Sequence, residues 1–168
     1  HNNTTGQQNT ASGAYALSLQ TTGNYNVAMG RTTMQQNSTG SYNSAYGYDA
    51  MRCNTTGSNN TASGYMALRS NTTASYNSAF GFKALFYSTT GAGNVAMGYI
   101  SLHKNTTGYL NTALGNEVLA CNTTGFGNTG SGYRSLNNNT TGERNTAVGF
   151  RSASNNTSGI WNTAIGSC

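Results

Sequence analysis

The sequence predicts an all-β fold, a single parallel β-solenoid of ten coils with 17 residues in each coil. The first observation behind this prediction is a 17-residue repeat that runs through the chain without insertion or deletion, a pattern typical of stacked repeat architectures. The second is the repeat length, because the helix pairs of common helical solenoids need about 34 residues. The third is the abundance of Gly, Asn, Tyr and β-branched residues, which favour strands and corners over helix.

Two rows of glycine mark the period most clearly. The Gly98 row has a glycine in every repeat: Gly13, Gly30, Gly47, Gly64, Gly81, Gly98, Gly115, Gly132, Gly149 and Gly166. The Gly108 row consists of Gly6, Gly23, Gly40, Gly57, Gly91, Gly108, Gly125, Gly142 and Gly159, with Ala74 as its one exception. We therefore expect corners at these rows, where the backbone needs a positive φ or approaches a neighbouring coil closely.

The composition limits the classes of partner. Charged residues make up 7% of the chain and the net charge is +5, but the eight Lys and Arg residues are scattered over the repeats and form no basic stripe. Nucleic acid is therefore not an expected partner. No apolar run is long enough to span a bilayer, so membrane insertion is not expected either. We expect one repeat domain over residues 1–168, as a segment of a longer array or as a filament subunit.

The strand is predicted at Asn94–Gly98 and its equivalents, with alternate side chains on opposite faces. We expect two rows to face inward. They are the Val95 row (Thr10, Val27, Ser44, Thr61, Ser78, Val95, Thr112, Thr129, Thr146, Thr163) and the Met97 row (Ser12, Met29, Tyr46, Ser63, Phe80, Met97, Leu114, Ser131, Val148, Ile165). A second apolar row is predicted to fill the core from the other wall: Leu17, Met34, Met51, Leu68, Leu85, Leu102, Leu119, Leu136 and Ala153.

The opposite side of the strand carries the Asn94 row and the Ala96 row. The Asn94 row is Asn9, Asn26, Asn43, Asn60, Asn77, Asn94, Asn111, Asn128, Asn145 and Asn162. Stacked Asn amides can bond along a column, so this row is predicted to be structural. The Ala96 row is alanine in every repeat except at Gly130, which leaves room for another chain or for the opposite wall.

The strand nucleus resembles the head repeat of the YadA-like trimeric autotransporter adhesins, which runs roughly N-S-V-A-I-G. Matching segments occur at 94–98, 145–149 and 162–166, about five residues in each repeat. Similar repeats occur in fibre and tail-fibre proteins. The resemblance implies a left-handed β-roll or β-helix and side-by-side packing of three chains. The repeat differs from the family's, which is shorter and lacks the Asn-Thr-Thr-Gly corner.

Aromatic side chains recur just after the Gly98 row. This Tyr99 row contains Tyr48, Tyr65, Phe82, Tyr99, Tyr133 and Phe150. A second aromatic set lies just before the Asn94 row, at Tyr25, Tyr42, Tyr76 and Trp161. Stacked aromatic rings suit packing between chains or a platform for sugars. The Tyr99 row is therefore the candidate for glycan or inter-chain contact.

The Asn-Thr-Thr corner matches the N-glycosylation sequon. The candidate acceptors form the Asn105 row: Asn3, Asn37, Asn54, Asn71, Asn105, Asn122, Asn139 and Asn156. Gln20 and Ser88 interrupt the row, and Asn2, Asn59, Asn138 and Asn155 give further matches. Because the following Gly turns the chain, we expect these Asn side chains to point outward. Asn, Thr and Gly are also ordinary turn residues, so the corner can arise without glycans.

Three cysteines occur, at Cys53, Cys121 and Cys168. The first two hold the same place in the repeat, so at about 4.7–4.8 Å per coil they are predicted to lie roughly 19 Å apart. That separation is beyond disulfide reach. The candidate for an inter-chain disulfide is Cys168.

No catalytic set or metal site is evident. The chain contains two His and three Asp or Glu residues, and no pair recurs at a spacing suited to acid–base chemistry. Phosphate loops and nucleophile elbows are also missing from the sequence. We therefore expect no enzyme activity and no cofactor.

The predicted function is a non-catalytic extracellular structural repeat, part of a surface fibre, filament or adhesin head. The expected partner is a further copy of the chain, in an end-to-end filament or a side-by-side trimer. The expected location is extracellular, at a cell surface or in a virion fibre. One alternative is a lectin or adhesin module that binds carbohydrate or a host matrix. Ice binding is the other alternative, although adjacent Thr106 and Thr107 at a corner do not make a flat Thr face.

Overall fold

The computed structural model describes residues 2–167. Within that range the protein is all-β, and ten three-residue strands form one parallel sheet in sequence order, as predicted. The strands are β1 (Thr10–Ser12), β2 (Val27–Met29), β3 (Ser44–Tyr46), β4 (Thr61–Ser63), β5 (Ser78–Phe80), β6 (Val95–Met97), β7 (Thr112–Leu114), β8 (Thr129–Ser131), β9 (Thr146–Val148) and β10 (Thr163–Ile165). The prediction of one parallel β-solenoid with 17-residue coils is confirmed.

The register explains why identical residues stack. Val95 pairs with Thr112, and Met97 pairs with Leu114, so each residue lies beside the residue 17 positions along the chain. Between strands the coil turns through irregular segments that also bond to neighbouring coils. The Leu102 N–H, for example, donates to the Val118 carbonyl at 3.0 Å. The solenoid is therefore stabilised by contacts between adjacent coils around its whole circumference.

The prediction of which strand face points inward is wrong. Ala96 and Asn94 are fully buried, whereas Met97 is 47% exposed and Val95 is only half-buried. The same burial holds along the interior strands. The interior wall is thus formed by the Ala96 and Asn94 rows, and the Val95 and Met97 rows lie on the outside.

The narrowness of the coil explains this inversion. The Ala96 row packs in one core cluster with the Leu102 row, which is buried as predicted apart from the half-buried Ala153. Small residues such as Ala84 and Ser101 precede the Leu102 row and are buried too. A Cβ built on Gly130 would lie 2.5 Å from Val118 Cγ1, so even one methyl group has no room where the opposite wall is larger. Only alanine or glycine fits the inner side of the strand.

Many side chains occupy a backbone conformation that is unusual for non-glycine residues. The Leu102 row has φ near +50°, for example 48° at Leu102 and 52° at Leu85. This left-handed conformation costs about 1–2 kcal/mol per residue. Because these leucines are fully buried, their burial offsets the strain, at roughly 1.5–3 kcal/mol for each side chain.

The Gly98 row meets both requirements expected of a glycine row, and the Gly108 row meets one of them. The Gly98 row has positive φ, 135° at Gly98 itself, and a Cβ on Gly81 would lie 2.5 Å from the Gly98 carbonyl oxygen. The Gly108 row has no positive φ, but a Cβ on Gly108 would lie 2.8 Å from Asn122 Nδ2. Glycine is needed there for close approach alone.

Candidate interaction face

The Asn105 row does not point outward, contrary to the prediction. Asn37, Asn54, Asn71, Asn105, Asn122 and Asn139 are all fully buried, Asn156 is half-buried, and Asn3 is exposed. The Asn122 amide Nδ2 donates to Asn105 Oδ1 at 2.8 Å and to the Gly125 carbonyl at 2.9 Å. Because both amide hydrogens are engaged inside the fold, Asn122 has no N–H free to carry a glycan. The same holds for Asn37, Asn54, Asn71 and Asn139, whereas Asn105 donates only to the Gly108 carbonyl. Among the sequon matches, Asn2, Asn59, Asn138 and Asn155 are exposed.

The two Asn rows form one buried hydrogen-bond network. Asn111 Nδ2 donates to Asn94 Oδ1 and to the Gly125 carbonyl, which also accepts from Asn122 Nδ2. The Asn111 backbone N–H also donates to Asn94 Oδ1. The prediction that the Asn94 row is a structural stack is confirmed. The buried amides of both rows form hydrogen bonds within the fold, so the buried parts of these rows offer no surface for a ligand.

The exposed side of the sheet is the main candidate for a functional surface. We name it the strand face; it comprises the Val95, Met97 and Tyr99 rows. Large apolar side chains are exposed by about 40–50% along it: Met29 45%, Tyr46 42%, Tyr48 39%, Tyr65 42%, Phe80 38%, Phe82 39%, Met97 47%, Tyr99 49%, Leu114 38%, Tyr133 38%, Val148 40% and Phe150 51%. Contiguous apolar surface of this kind marks interaction sites in soluble proteins.

The apolar character of the strand face continues from coil to coil although single positions vary. Serine in the Met97 row is followed two residues later by tyrosine, in the pairs Ser63–Tyr65 and Ser131–Tyr133. Asn116 in the Tyr99 row conversely follows Leu114 in the Met97 row. Arg31 is the one charged residue in the three rows. Every coil from β2 to β9 therefore presents at least one large apolar side chain. Three cations border the Tyr99 row, where Arg31, Lys83 and Arg134 lie 5.3–5.7 Å from the ring centroids of Tyr48, Phe82 and Tyr133.

The aromatic rings of the Tyr99 row stack along the solenoid. Ring centroids are 5.4 Å apart for Tyr48–Tyr65, 5.2 Å for Tyr65–Phe82 and 5.3 Å for Phe82–Tyr99, with interplanar angles of 7–11°. Tyr133 and Phe150 form a second stack with centroids 5.3 Å apart. Because each inner ring is covered on both faces by its neighbours, the stack presents ring edges to solvent. Edges suit an apolar contact with another chain better than a sugar, which stacks on a ring face.

The carboxylates are all engaged by arginine. Asp49 is buried and pairs with Arg69 at 3.2 Å and Arg52 at 3.6 Å. The other two pairs are Glu117–Arg134 at 2.6 Å and Glu143–Arg144 at 3.8 Å.

Over residues 2–167 no cluster of three or more His, Cys, Asp or Glu side chains has the geometry of a metal site. The same range contains no helix with the length and hydropathy of a membrane span.

The cysteine predictions are tested only in part. Cys53 and Cys121 are half-buried free thiols, as their spacing predicts. Cys168, the candidate for an inter-chain disulfide, lies outside the described residues.

His103 makes the stability of the fold depend on pH. It packs against Phe86 and Tyr87, and its Nδ1 lies 3.2 Å from the Lys83 carbonyl. Burial, followed by the positive charges of Lys83 and Lys104, lowers the pKa of His103 below 6.5, although the hydrogen bond opposes this. Since the unfolded chain then takes up the proton first, the free energy of unfolding should fall as the pH drops below 6.5. Urea unfolding above and below that pH should show this loss, and His103→Gln should reduce it; an equal loss in both proteins contradicts the prediction.

Two features of the surface were missed by sequence reasoning. The Met97 row was assigned to the core, although a row of invariant Ala beside a row of variable large residues is the signal of a narrow interior. The second is an open cleft at Ala92 and Gly93, where Gly93 stands between Tyr76 and Leu110 in one outward column and the small Ala92 precedes Tyr109 in the next. That break in the columns was visible in the sequence.

Comparisons of the chain with protein-family models, with curated proteins and with solved structures found no match.

Proposed function

We propose that this chain is a non-catalytic structural element of an extracellular fibre, filament or adhesin head, and that its copies assemble side by side through the strand face. The observation that carries the proposal is the continuous apolar surface on the outside of β2 to β9, whose three rows contain a single charged residue. Such a surface costs free energy in water, and burial against another protein recovers roughly 25 cal/mol per Å² of apolar area.

A second copy of the chain fits this surface better than an irregular partner. The strand face repeats every coil, at about 4.7–4.8 Å, and another solenoid with the same repeat has the same spacing of ridges and grooves. Contacts made by one coil, such as Met97 against a neighbouring ring, can therefore recur in every coil. The resemblance to the YadA-like repeat adds the expectation of three chains and an extracellular location.

Charge on the strand face should abolish this assembly. We expect the wild-type chain to sediment as an oligomer and the double variant Phe80→Lys/Met97→Lys to sediment as a monomer, because lysine ammonium groups at the contact cannot be buried unpaired. The double variant Tyr42→Lys/Leu110→Lys is the matched control, since those side chains are 58% and 63% exposed and belong to none of the three rows of the strand face. A monomeric wild-type chain at high concentration, or equal assembly of the strand-face variant, would contradict the proposal.

A further inference from the structure

We propose that an open cleft beside Gly93 binds the ring of a neutral pyranose sugar. The cleft has a volume of about 520 Å³ and is lined by Tyr76, Thr90, Ala92, Gly93, Thr107 and Tyr109, with Leu110 beyond them. Its lining residues belong to none of the three rows of the strand face, and the inference does not depend on how the chain assembles.

The cleft lies where Gly93 interrupts one outward column of side chains and where the neighbouring column, which is small at Ser75 and Ala92, has not yet become aromatic. Tyr76 and Leu110 occupy the place of Gly93 in the preceding and following coils, and Tyr109 occupies the place of Ala92 in the following coil. Two coils rise by about 9.5 Å at 4.7–4.8 Å each. The gap between Tyr76 and Leu110 therefore has the height of one missing ring.

The interruption leaves ring faces uncovered, whereas the inner rings of the strand-face stack, Tyr65 and Phe82, are covered on both sides. Tyr109 stacks on Phe126 of the next coil with centroids 4.7 Å apart and planes 4° from parallel. Its opposite face is turned toward Ala92, whose methyl group is too small to cover it. Tyr76 is 69% exposed on the other side of the cleft. An apolar ring face can thus be stacked from within the cleft.

Free hydroxyl groups border the same cleft. Thr89 and Thr106 donate their hydroxyls to carbonyls of the next coil at 3.1 and 3.0 Å. The adjacent Thr90 and Thr107 hydroxyls have no hydrogen-bond partner among residues 2–167 and are exposed. Apolar walls with a few polar groups at the edge are typical of small-molecule sites. A pyranose combines an apolar C–H face with hydroxyls around its rim, and its chair is thicker than a flat aromatic ring.

The test is a titration followed by saturation-transfer NMR, with methyl β-D-glucopyranoside as the sugar probe and p-cresol as a flat aromatic probe. We expect saturable binding of the sugar by the wild-type chain, with a dissociation constant on the order of 1 mM. Gly93→Tyr should abolish it by filling the cleft. The backbone accepts that change, because Gly93 has φ 68° and Tyr76 in the same column has φ 64°; only the flexible end of Leu110 must shift.

Two further variants separate the cleft from general stacking on tyrosine. Tyr109→Ala should weaken sugar binding at least tenfold, and Tyr25→Ala should leave it unchanged, because Tyr25 belongs to the same column as Gly93 but lies four coils away. Circular dichroism verifies that each variant is folded. The proposal is overturned by absence of saturable sugar binding, by equal binding to folded Gly93→Tyr, or by tighter binding of p-cresol than of the sugar.

Discussion

Replacing Asn111 with alanine is expected to destabilise the chain by roughly 2–5 kcal/mol, because it leaves two buried donors without acceptors at about 1–3 kcal/mol each. Asn111 Oδ1 accepts from the backbone N–H of Asn128 at 3.0 Å and from Asn128 Nδ2 at 3.1 Å. Both donors belong to a fully buried residue, so water cannot replace the lost acceptor without opening the coil.

Urea unfolding followed by circular dichroism measures this effect. Asn116→Ala is the matched control, since Asn116 is an exposed asparagine in the same coil and surface changes of this kind usually stay within about 0.5 kcal/mol. If the two variants are equally stable, the Asn94 row does not hold the coils together as described.

The second large effect concerns the one place where both the Asn105 row and the Gly108 row are interrupted. A Cβ on Gly57 would lie 2.8 Å from the amide Nδ2 of Asn71 in the next coil. Ala74 carries such a Cβ. In the coil that follows Ala74, the position of the Asn105 row is occupied by Ser88, which has no side-chain amide for the Cβ to meet. The two exceptions therefore compensate in part: Ser88 removes the contact with the amide, whereas the contacts of such a Cβ with the carbonyl oxygen of the next coil and with the asparagine Oδ1 of its own coil do not depend on Ser88. The cost is a gap in the ladder, where Asn71 Oδ1 and Ser88 Oγ are buried without a hydrogen-bond partner.

A double-mutant cycle tests this coupling. Ser88→Asn alone should destabilise the chain because its amide meets the Ala74 methyl, and Ala74→Gly alone should cost about 0.5–1 kcal/mol in backbone entropy. The double variant should exceed the wild type in stability by about 1 kcal/mol, since the new amide reaches Asn71 Oδ1 and the Gly91 carbonyl. The coupling energy should reach about 2 kcal/mol. Additive effects of the two substitutions would show that the sites are independent.

The sequence was sufficient to predict the architecture, because the 17-residue period, the Gly rows and the Leu102 row all express the same stacking. It was not sufficient to predict which side of a three-residue strand faces inward. Hydrophobicity placed Met97 inside and Ala96 outside, but the volume between two closely spaced walls decides the orientation. The burial of the Asn105 row was not predicted either. From its own repeat, Asn122 has the character of an exposed turn residue, and only its contacts with adjacent coils show that it is buried.

The departures from the repeat proved more informative than the consensus. Two pairs of departures combine a residue larger than the consensus in one coil with a residue smaller than the consensus in the next, at positions that are in contact. They are Ala74 with Ser88, and Val118 with Gly130. The pair Ala92 and Gly93 has no such compensation and leaves a cleft. None of these relations follows from a single repeat, because each depends on which residues of adjacent coils touch.

Cryo-electron microscopy of the purified chain tests the central claim most directly. The account predicts particles in which two or more parallel-stranded solenoids lie side by side, with Met97, Phe80 and Tyr99 of each copy buried against a neighbour. Single solenoids with the strand face open to solvent, or an assembly that buries a different face, would contradict it.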